Sequence, residues 1–261
     1  MIVLDDIPQV GLRFPPYVWY IFAFVVNHGR TPQLIDPGHV FAIFCDNCDS
    51  RHYSIGRMHF IITGADRVSN ASLRRERYVE YMLALHRVFS YGIPVLGVLS
   101  EYEPSEHSPP FSQFPFKLMK TIQHGVLDGL GKSQKEFASI SELLRSVTDV
   151  SDSEFIIKAS GRYMLVNDTF VNLVKDHETN PRVNAIVRLC DQGTQQYTFL
   201  YAMRYKYFKQ LHSQPMFAAG VNVEQVTLDF IKTNGLFDTT LQVDSLGILT
   251  NINNENSYCV Y

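Results

Sequence analysis

Apolar residues fall along this chain in short, bounded runs whose period changes from one stretch to the next. His59-Phe60-Ile61-Ile62-Thr63 is a continuous run closed by the polar Gly64-Ala65-Asp66-Arg67, which predicts a buried strand ending in a turn. Between Ala71 and Tyr91 the apolar positions Tyr78, Val79, Met82, Leu83, Leu85 and Phe89 recur at helical spacing. Charged Arg74, Arg75, Glu76, Arg77 and Glu80 interleave with them, as on an amphipathic helix. Gly92 and Pro94 stop that helix, and residues 95–99 read as a second strand. Strand, helix, strand at this length is a βαβ unit, whose strands run parallel.

The pattern continues in the same style. Residues 100–115 are a proline-bearing loop, and 116–124 predict a short helix. Phe137, Ile140, Leu143, Leu144 and Val147 share one helical face. Phe155-Ile156-Ile157-Lys158 is a buried strand broken by Ser160-Gly161-Arg162. Two more strands are predicted at 183–189 and 197–203, with Asp191-Gln192-Gly193 turning between them. Residues 223–233 form an amphipathic helix led by Glu224. The class is α/β: residues 58–261 make a single domain, a mixed, largely parallel sheet flanked by helices. Residues 1–57, rich in turn signals around apolar runs at 17–26 and 40–44, read as an N-terminal extension packed on it.

Composition changes this picture little. Apolar residues at 46% and charged residues at 19% are ordinary for a globular chain. A net charge of −3 supplies no basic footprint, so nucleic acid is not an expected partner. The run 17–26 is too short to cross a bilayer and follows Asp5 and Asp6, which excludes a signal peptide and a transmembrane segment there. Four cysteines do not make a disulfide framework, and a cytoplasmic location is expected. Cys45-Asp46-Asn47-Cys48 with His52 is half of a metal or redox site, and no second Cys-x-x-Cys follows. Aromatic residues at 13% suit either a stacking site for a sugar or base, or simply the core.

In open parallel sheets ligands bind beyond the carboxyl ends of the strands, which points to Thr63, Gly64, Ala65, Asp66 and Arg67. Gly161 permits close approach of a backbone or ligand, and Arg162 brings a permanent planar charge to that place. Gly125-Val-Leu-Asp-Gly-Leu-Gly131-Lys132-Ser133 is a glycine-rich turn feeding a helix, an arrangement that binds anions through backbone N–H groups. It is not a P-loop: five residues rather than four separate Gly125 from Gly131, and no strand is predicted before it.

The order of these parts resembles that of small glycosyltransferases encoded by large algal viruses and by bacterial surface-polysaccharide loci. The shared run is a strand ending in Thr63, a helix carrying Glu76-Arg77, and the turn Gly131-Lys132-Ser133-Gln134-Lys135-Glu136. Lys158-Ala159-Ser160-Gly161-Arg162-Tyr163, a helix led by Val223-Glu224 and the segment Asp244-Ser245-Leu246-Gly247 complete it. It covers about residues 59–250 and leaves 1–57 outside.

The resemblance implies a GT-A-like domain that transfers a sugar from a nucleoside-diphosphate sugar to a glycan acceptor. In its closest image, a viral enzyme decorating capsid glycans in the host cytoplasm, that sugar is xylose. Most GT-A enzymes hold a divalent metal with Asp-x-Asp at the end of the strand corresponding to 155–158. Here Ala159-Ser160-Gly161-Arg162 stands in that place, with Asn167-Asp168 further on. The departure implies that Arg162, Lys158 and Lys132 stabilise the diphosphate, and that no metal is required. Thr63, Gly64, Ala65, Arg67, Arg77, Ser160 and Gly161 are the further donor contacts implied. Asp66 and Glu224 are candidates to take the acceptor proton, with Asp191 a third, and Asp66 equally suits the donor's base or ribose. Inversion and retention both stay open. The plainer reading pairs Lys158 and Arg162 with carboxylates and makes Glu224 a helix N-terminal charge. Two other classes also stand: a non-catalytic nucleotide- or carbohydrate-binding domain of this fold, and a kinase or ATPase built on residues 125–133.

Overall fold

The frame of the structure is strand β1, Met58–Ala65, which lies between two parallel neighbours, β2 (Val95–Tyr102) and β4 (Phe155–Ser160). The structure, a computed structural model, describes residues 58–65, 71–102, 110–190, 193–214, 222–250 and 259–260. The predicted extension 1–57, with its apolar runs and Cys45, Cys48 and His52, lies outside the described residues.

Seven strands form the main sheet, in the order β10-β6-β9-β4-β1-β2-β3. The remaining members are β3 (Leu118–Gln123), β6 (Ala185–Val187), β9 (Leu200–Arg204) and β10 (Thr240–Gln242). All neighbours run parallel except at β9, which is antiparallel to both β4 and β6. Two small sheets complete the strands: β5 (Met164–Leu165) with β11 (Ile248–Thr250) and β12 (Cys259–Val260), and β7 (Leu189–Cys190) with β8 (Gln195–Gln196).

Side-chain alternation divides the core in two. Phe60, Ile62, Phe155 and Ile157 face helices α1 (Ala71–Phe89) and α3 (Thr169–Asp176), meeting Leu85, Val88, Phe170 and Val174. Ile61 and Ile156 point the other way, toward α2 (Lys132–Leu144), α4 (Tyr205–His212) and α5 (Val223–Thr233). There they meet Phe137, Ile140, Leu143, Phe208 and Ile231. Both faces of the central strands are therefore covered, which explains why they read as unbroken apolar runs rather than alternating ones. The mixed, largely parallel sheet with flanking helices is the expected α/β class.

Several local expectations are corrected. Residues 116–124 are not a helix: they contain β3, which pairs in parallel with β2 at the sheet edge. Its only buried residue is Ile122, and backbone pairing with β2 supplies what its weak apolar pattern does not. A strand thus does precede the glycine-rich turn 125–131, contrary to expectation, although the spacing within that turn remains unlike a P-loop. The segment 183–189 divides into β6 and β7, and the strand expected at 197–203 begins at Leu200. Helix α1 ends as predicted, with Gly92 at φ 66°, a left-handed conformation that glycine adopts without a Cβ penalty.

Candidate functional site at the carboxyl ends of the central strands

The ends of β1 and β4 lie side by side, with Thr63 in register with Ser160. Gly161 N–H donates to Thr63 O at 2.7 Å. A Cβ on Gly161 would stand 2.9 Å from that carbonyl and 2.8 Å from Ile62 Cγ2. The break after β4 is thus needed for backbone to approach backbone.

Strand alternation turns Lys158 toward α2, and its side chain is only 2% exposed. Such a cation must be neutralised on the spot. Glu136 of α2 does this, its Oε1 lying 2.8 Å from Lys158 Nζ. Lys158 also donates to Thr198 O at 2.6 Å and to Ser160 Oγ at 3.1 Å. Ser160 Oγ donates to Glu136 Oε1 at 2.9 Å, and Thr63 Oγ1 donates to the same oxygen. Three donors thus converge on one carboxylate oxygen. Burial pushes the Glu136 carboxyl up, but the Lys158 ammonium and the two hydroxyls outweigh it and hold the group below its ordinary range.

Lys132 and Glu136 are one helical turn apart on α2 and so share a face. Burial lowers the Lys132 pKa, and the Arg162, Arg77 and Lys158 cations lower it further against the opposing pull of Glu136. Three cations therefore act on the Lys132 ammonium. Arg162 Nη2 donates to Tyr163 Oη at 3.1 Å, and its guanidinium lies 5.0 Å from that ring's centre. Burial lowers the Arg162 pKa, but Tyr163, Glu80 and Tyr81 outweigh it and leave the guanidinium above its ordinary value. Arg77 Nε is buried without a hydrogen-bond partner. Buried donors are almost always satisfied, so this nitrogen implies an acceptor outside the described residues.

The other predicted residues are placed as follows. Gly64 O accepts from Ser100 Oγ at 3.0 Å, and Ala65 N–H donates to Tyr81 Oη at 2.9 Å. Glu224, in the first turn of α5, accepts from Thr198 Oγ1 at 3.1 Å. Since Thr198 O is also a Lys158 acceptor, Glu224 is joined to the Lys158–Glu136 pair through one residue. Asp66, Arg67 and Asp191 lie outside the described residues. Asp168 is held elsewhere, 2.5 Å from Arg87 Nη2 and 2.8 Å from Tyr91 Oη.

Lys158 departs most from expectation. It is paired inside the fold with Glu136, the plainer of the two readings its place in the sequence allowed. Sequence reasoning assigned no role to Glu136, Thr198, Tyr81 or His212. A lysine inside an apolar strand does signal a buried carboxylate partner, but not which one. His212 is 3% exposed and shares a small cavity with Lys158, Glu136, Thr198 and Thr227. Burial and the Lys158 charge push its pKa down to about 3.

Among the described residues one group of three possible metal ligands comes together, Glu101, His124 and Asp128. Lys135 Nζ stands 2.6 Å from Glu101 Oε1, so an ammonium already supplies positive charge there.

No family model and no curated protein sequence matches the chain. Solved structures similar to it include a 4-diphosphocytidyl-2C-methyl-D-erythritol synthase from Anaerococcus prevotii, at 10% identity and TM-score 0.48, covering 73% of this chain and 89% of that one. A putative nucleotide-diphospho-sugar transferase from Desulfovibrio desulfuricans is similar at 9% identity and TM-score 0.45, covering 72% and 80%. A mannosyltransferase from Pyrobaculum calidifontis in complex with GDP-Man and Mn2+ is similar at 14% identity and TM-score 0.44, covering 88% and 62%.

Proposed function

We propose that the chain is a nucleotide-sugar-dependent glycosyltransferase whose cationic group at the ends of β1 and β4 holds the donor's diphosphate. The observation that carries this reading is Arg77 Nε, buried without an acceptor among the described residues, together with the electrostatic action of Arg77 and Arg162 on Lys132. Like charges brought together at a strand edge repel one another, and a bound polyanion offsets that repulsion. Glu136 acts on Lys132, and Glu80 on Arg162, as counter-charges. A diphosphate diester, with two ionised phosphates, complements such a group of cations.

In this reading Arg162 and Lys132 stabilise the departing nucleoside diphosphate, the work a divalent metal performs in most enzymes of the resembled group. Arg77 supplies a further phosphate contact. Lys158 acts through Glu136, Ser160 and Thr198, positioning the strand end that carries Arg162. Asp66 and Glu224 remain the residues to take the acceptor's proton, and Arg67, Thr63, Gly64, Ala65, Ser160 and Gly161 complete the donor side. Xylose, a glycan acceptor and a cytoplasmic setting rest on the sequence resemblance alone.

A non-catalytic nucleotide-binding domain is the second reading, favoured by the arginine standing where a metal-binding carboxylate is expected. Release of nucleoside diphosphate from a panel of sugar donors, with chelator present, tests both. Turnover supports the transferase, and stabilisation by nucleotide without release supports the binding module.

A further inference from the structure

The carboxyl ends of β2 and β3 carry a second group of chemically able side chains. His124 follows β3 directly, and its N–H donates to Tyr102 O at 2.9 Å, continuing the pairing of β3 with β2. Asp128 lies in the glycine-rich turn, between Gly125 at φ 89° and Gly129 at φ 86°. One ligand atom from each of Glu101, His124 and Asp128 lies within 4.8 Å of the others. His124 Nδ1 is 2.6 Å from Glu101 Oε2. Lys135 Nζ, reaching over from α2, is 2.6 Å from Glu101 Oε1 and 3.9 Å from Asp128 Oδ1. Among the described residues Glu101 alone has a positive φ, 54°, without being glycine. Strain of this kind persists where the surrounding contacts over-determine it.

We propose that Glu101, His124 and Asp128 bind a divalent transition-metal cation of the zinc class, in exchange for the Lys135 ammonium. Two carboxylate oxygens and one imidazole nitrogen are a three-ligand set that zinc accepts, with a fourth position left to water. At metal–ligand distances of about 2.1 Å, tetrahedral ligands stand about 3.4 Å apart. Three atoms already within 4.8 Å need only small side-chain shifts to reach that spacing, and Asp128, 69% exposed, has room to make them. The Lys135 ammonium marks where a cation is favoured, between two carboxylates. An ion pair of Lys135 with Glu101 requires neither the imidazole nor Asp128. The nitrogen donor is what suits the set to zinc rather than to magnesium or calcium, which take oxygen. A divalent ion brings twice the charge of the ammonium, and the partly exposed Lys135 can turn its head to water. Bound there, the ion ties the glycine-rich turn to the ends of β2 and β3. It is a fastening for the turn that opens α2 and takes no part in the transfer step. The inference goes beyond the diphosphate reading and shares no residue with it.

The test is calorimetric titration of the full chain, first stripped with chelator, with zinc chloride and separately with magnesium chloride. The wild type should bind zinc and should bind magnesium far more weakly. His124→Ala and Asp128→Ala, both at partly or largely exposed positions, should each weaken zinc binding by about tenfold or more, at least the loss that follows from disturbing a ligand's support. Lys135→Met should tighten it, because the competing ammonium is gone and two carboxylates are left to repel one another. Thermal unfolding without metal checks that each variant is folded, and the wild-type titration needs no variant. Zinc should also raise the wild-type unfolding temperature and raise that of His124→Ala less. A wild type that binds no zinc overturns the inference. Zinc bound equally well by His124→Ala and Asp128→Ala also overturns it, placing the ion elsewhere, with Cys45, Cys48 and His52 the next residues to vary. Weaker binding by a folded Lys135→Met contradicts the exchange of ammonium for metal. None of these readouts uses nucleotide or sugar transfer, so the diphosphate reading stands or falls separately.

Discussion

Lys158 Nζ lies 2.8 Å from Glu136 Oε1, joining the middle of the sheet to the first turns of α2 with a lysine side chain only 2% exposed. The pair fixes the place where β1 and β4 end, since Thr63 and Ser160 attach to the same carboxylate oxygen. It also turns a lysine that reads as a phosphate contact into part of the scaffold that presents Arg162.

Glu136→Ala should therefore be strongly destabilising. It leaves the Lys158 charge buried and uncompensated, a loss on the scale of about 3–5 kcal/mol. Replacing both partners, as in Glu136→Leu/Lys158→Met, should recover most of that loss, because the desolvation cost of two ions disappears with them. Urea denaturation of the two variants checks this, and a double variant no more stable than Glu136→Ala would contradict it.

Arg162→Ala should remove most sugar transfer, while chelator leaves it largely intact. A leaving-group contact made mainly in the transition state lowers kcat more than it raises KM. Loss of one such donor costs ~2.7–4 kcal/mol, or roughly 100- to 1000-fold in rate. Arg162→Lys should recover part, returning the charge without the two-pronged fork. Steady-state kinetics with the preferred donor decides, and activity lost to chelator and restored by manganese would contradict the cation mechanism.

His212 makes stability depend on pH. Its pKa is 6.5 when unperturbed and is pushed down to about 3 by burial and the Lys158 charge, so the folded state keeps the ring neutral. Between those values the unfolded chain binds a proton that the folded chain does not. Stability is therefore full above about pH 6.5 and is lost as pH falls toward 3. The loss between pH 7 and pH 4.5 should be about 2–3 kcal/mol. The ring lies 3.0 Å from Tyr201 Oη and packs 4.0 Å from the Phe137 ring centre. His212→Gln, which does not titrate, should show a flatter denaturation midpoint across that range than the wild type.

Arg204 holds together segments far apart in sequence. Its guanidinium donates to the carbonyls of Ser153, His177, Glu178, Asn180 and Val183 at 2.5–3.1 Å and lies 3.9 Å from the Phe155 ring centre. Arg204→Met would leave those carbonyls without their donor, at a cost on the order of 3 kcal/mol. Arg204→Lys, with fewer donors and no planar fork, should restore only part of it. Thermal unfolding of both variants measures the difference.

Read from residues alone, the central strands, α1 and α5 were legible because each carries its own signal. Phe60 to Ile62 and Phe155 to Ile157 are apolar on both faces, α1 repeats at helical spacing up to Gly92, and α5 spans the predicted Val223–Thr233. Edge strand β3 was not legible, since one buried residue, Ile122, leaves no period to detect and its pairing is made by β2's backbone. The short strands β5, β10 and β11 were missed for the same reason, being two or three residues long.

The site divides along the same line. The sequence by itself determined that a lysine, a glycine and an arginine follow one another where a buried strand ends, and that a lysine opens a helix after a glycine-rich turn. Only the tertiary structure decided that Lys158 turns inward to Glu136, that Arg77 and Arg162 act on Lys132, and that Thr198 links Glu224 to the pair. The physical reason is range. A period or a turn is encoded by neighbours within a few residues, whereas the partner of a buried charge is chosen by whichever distant segment packs against it.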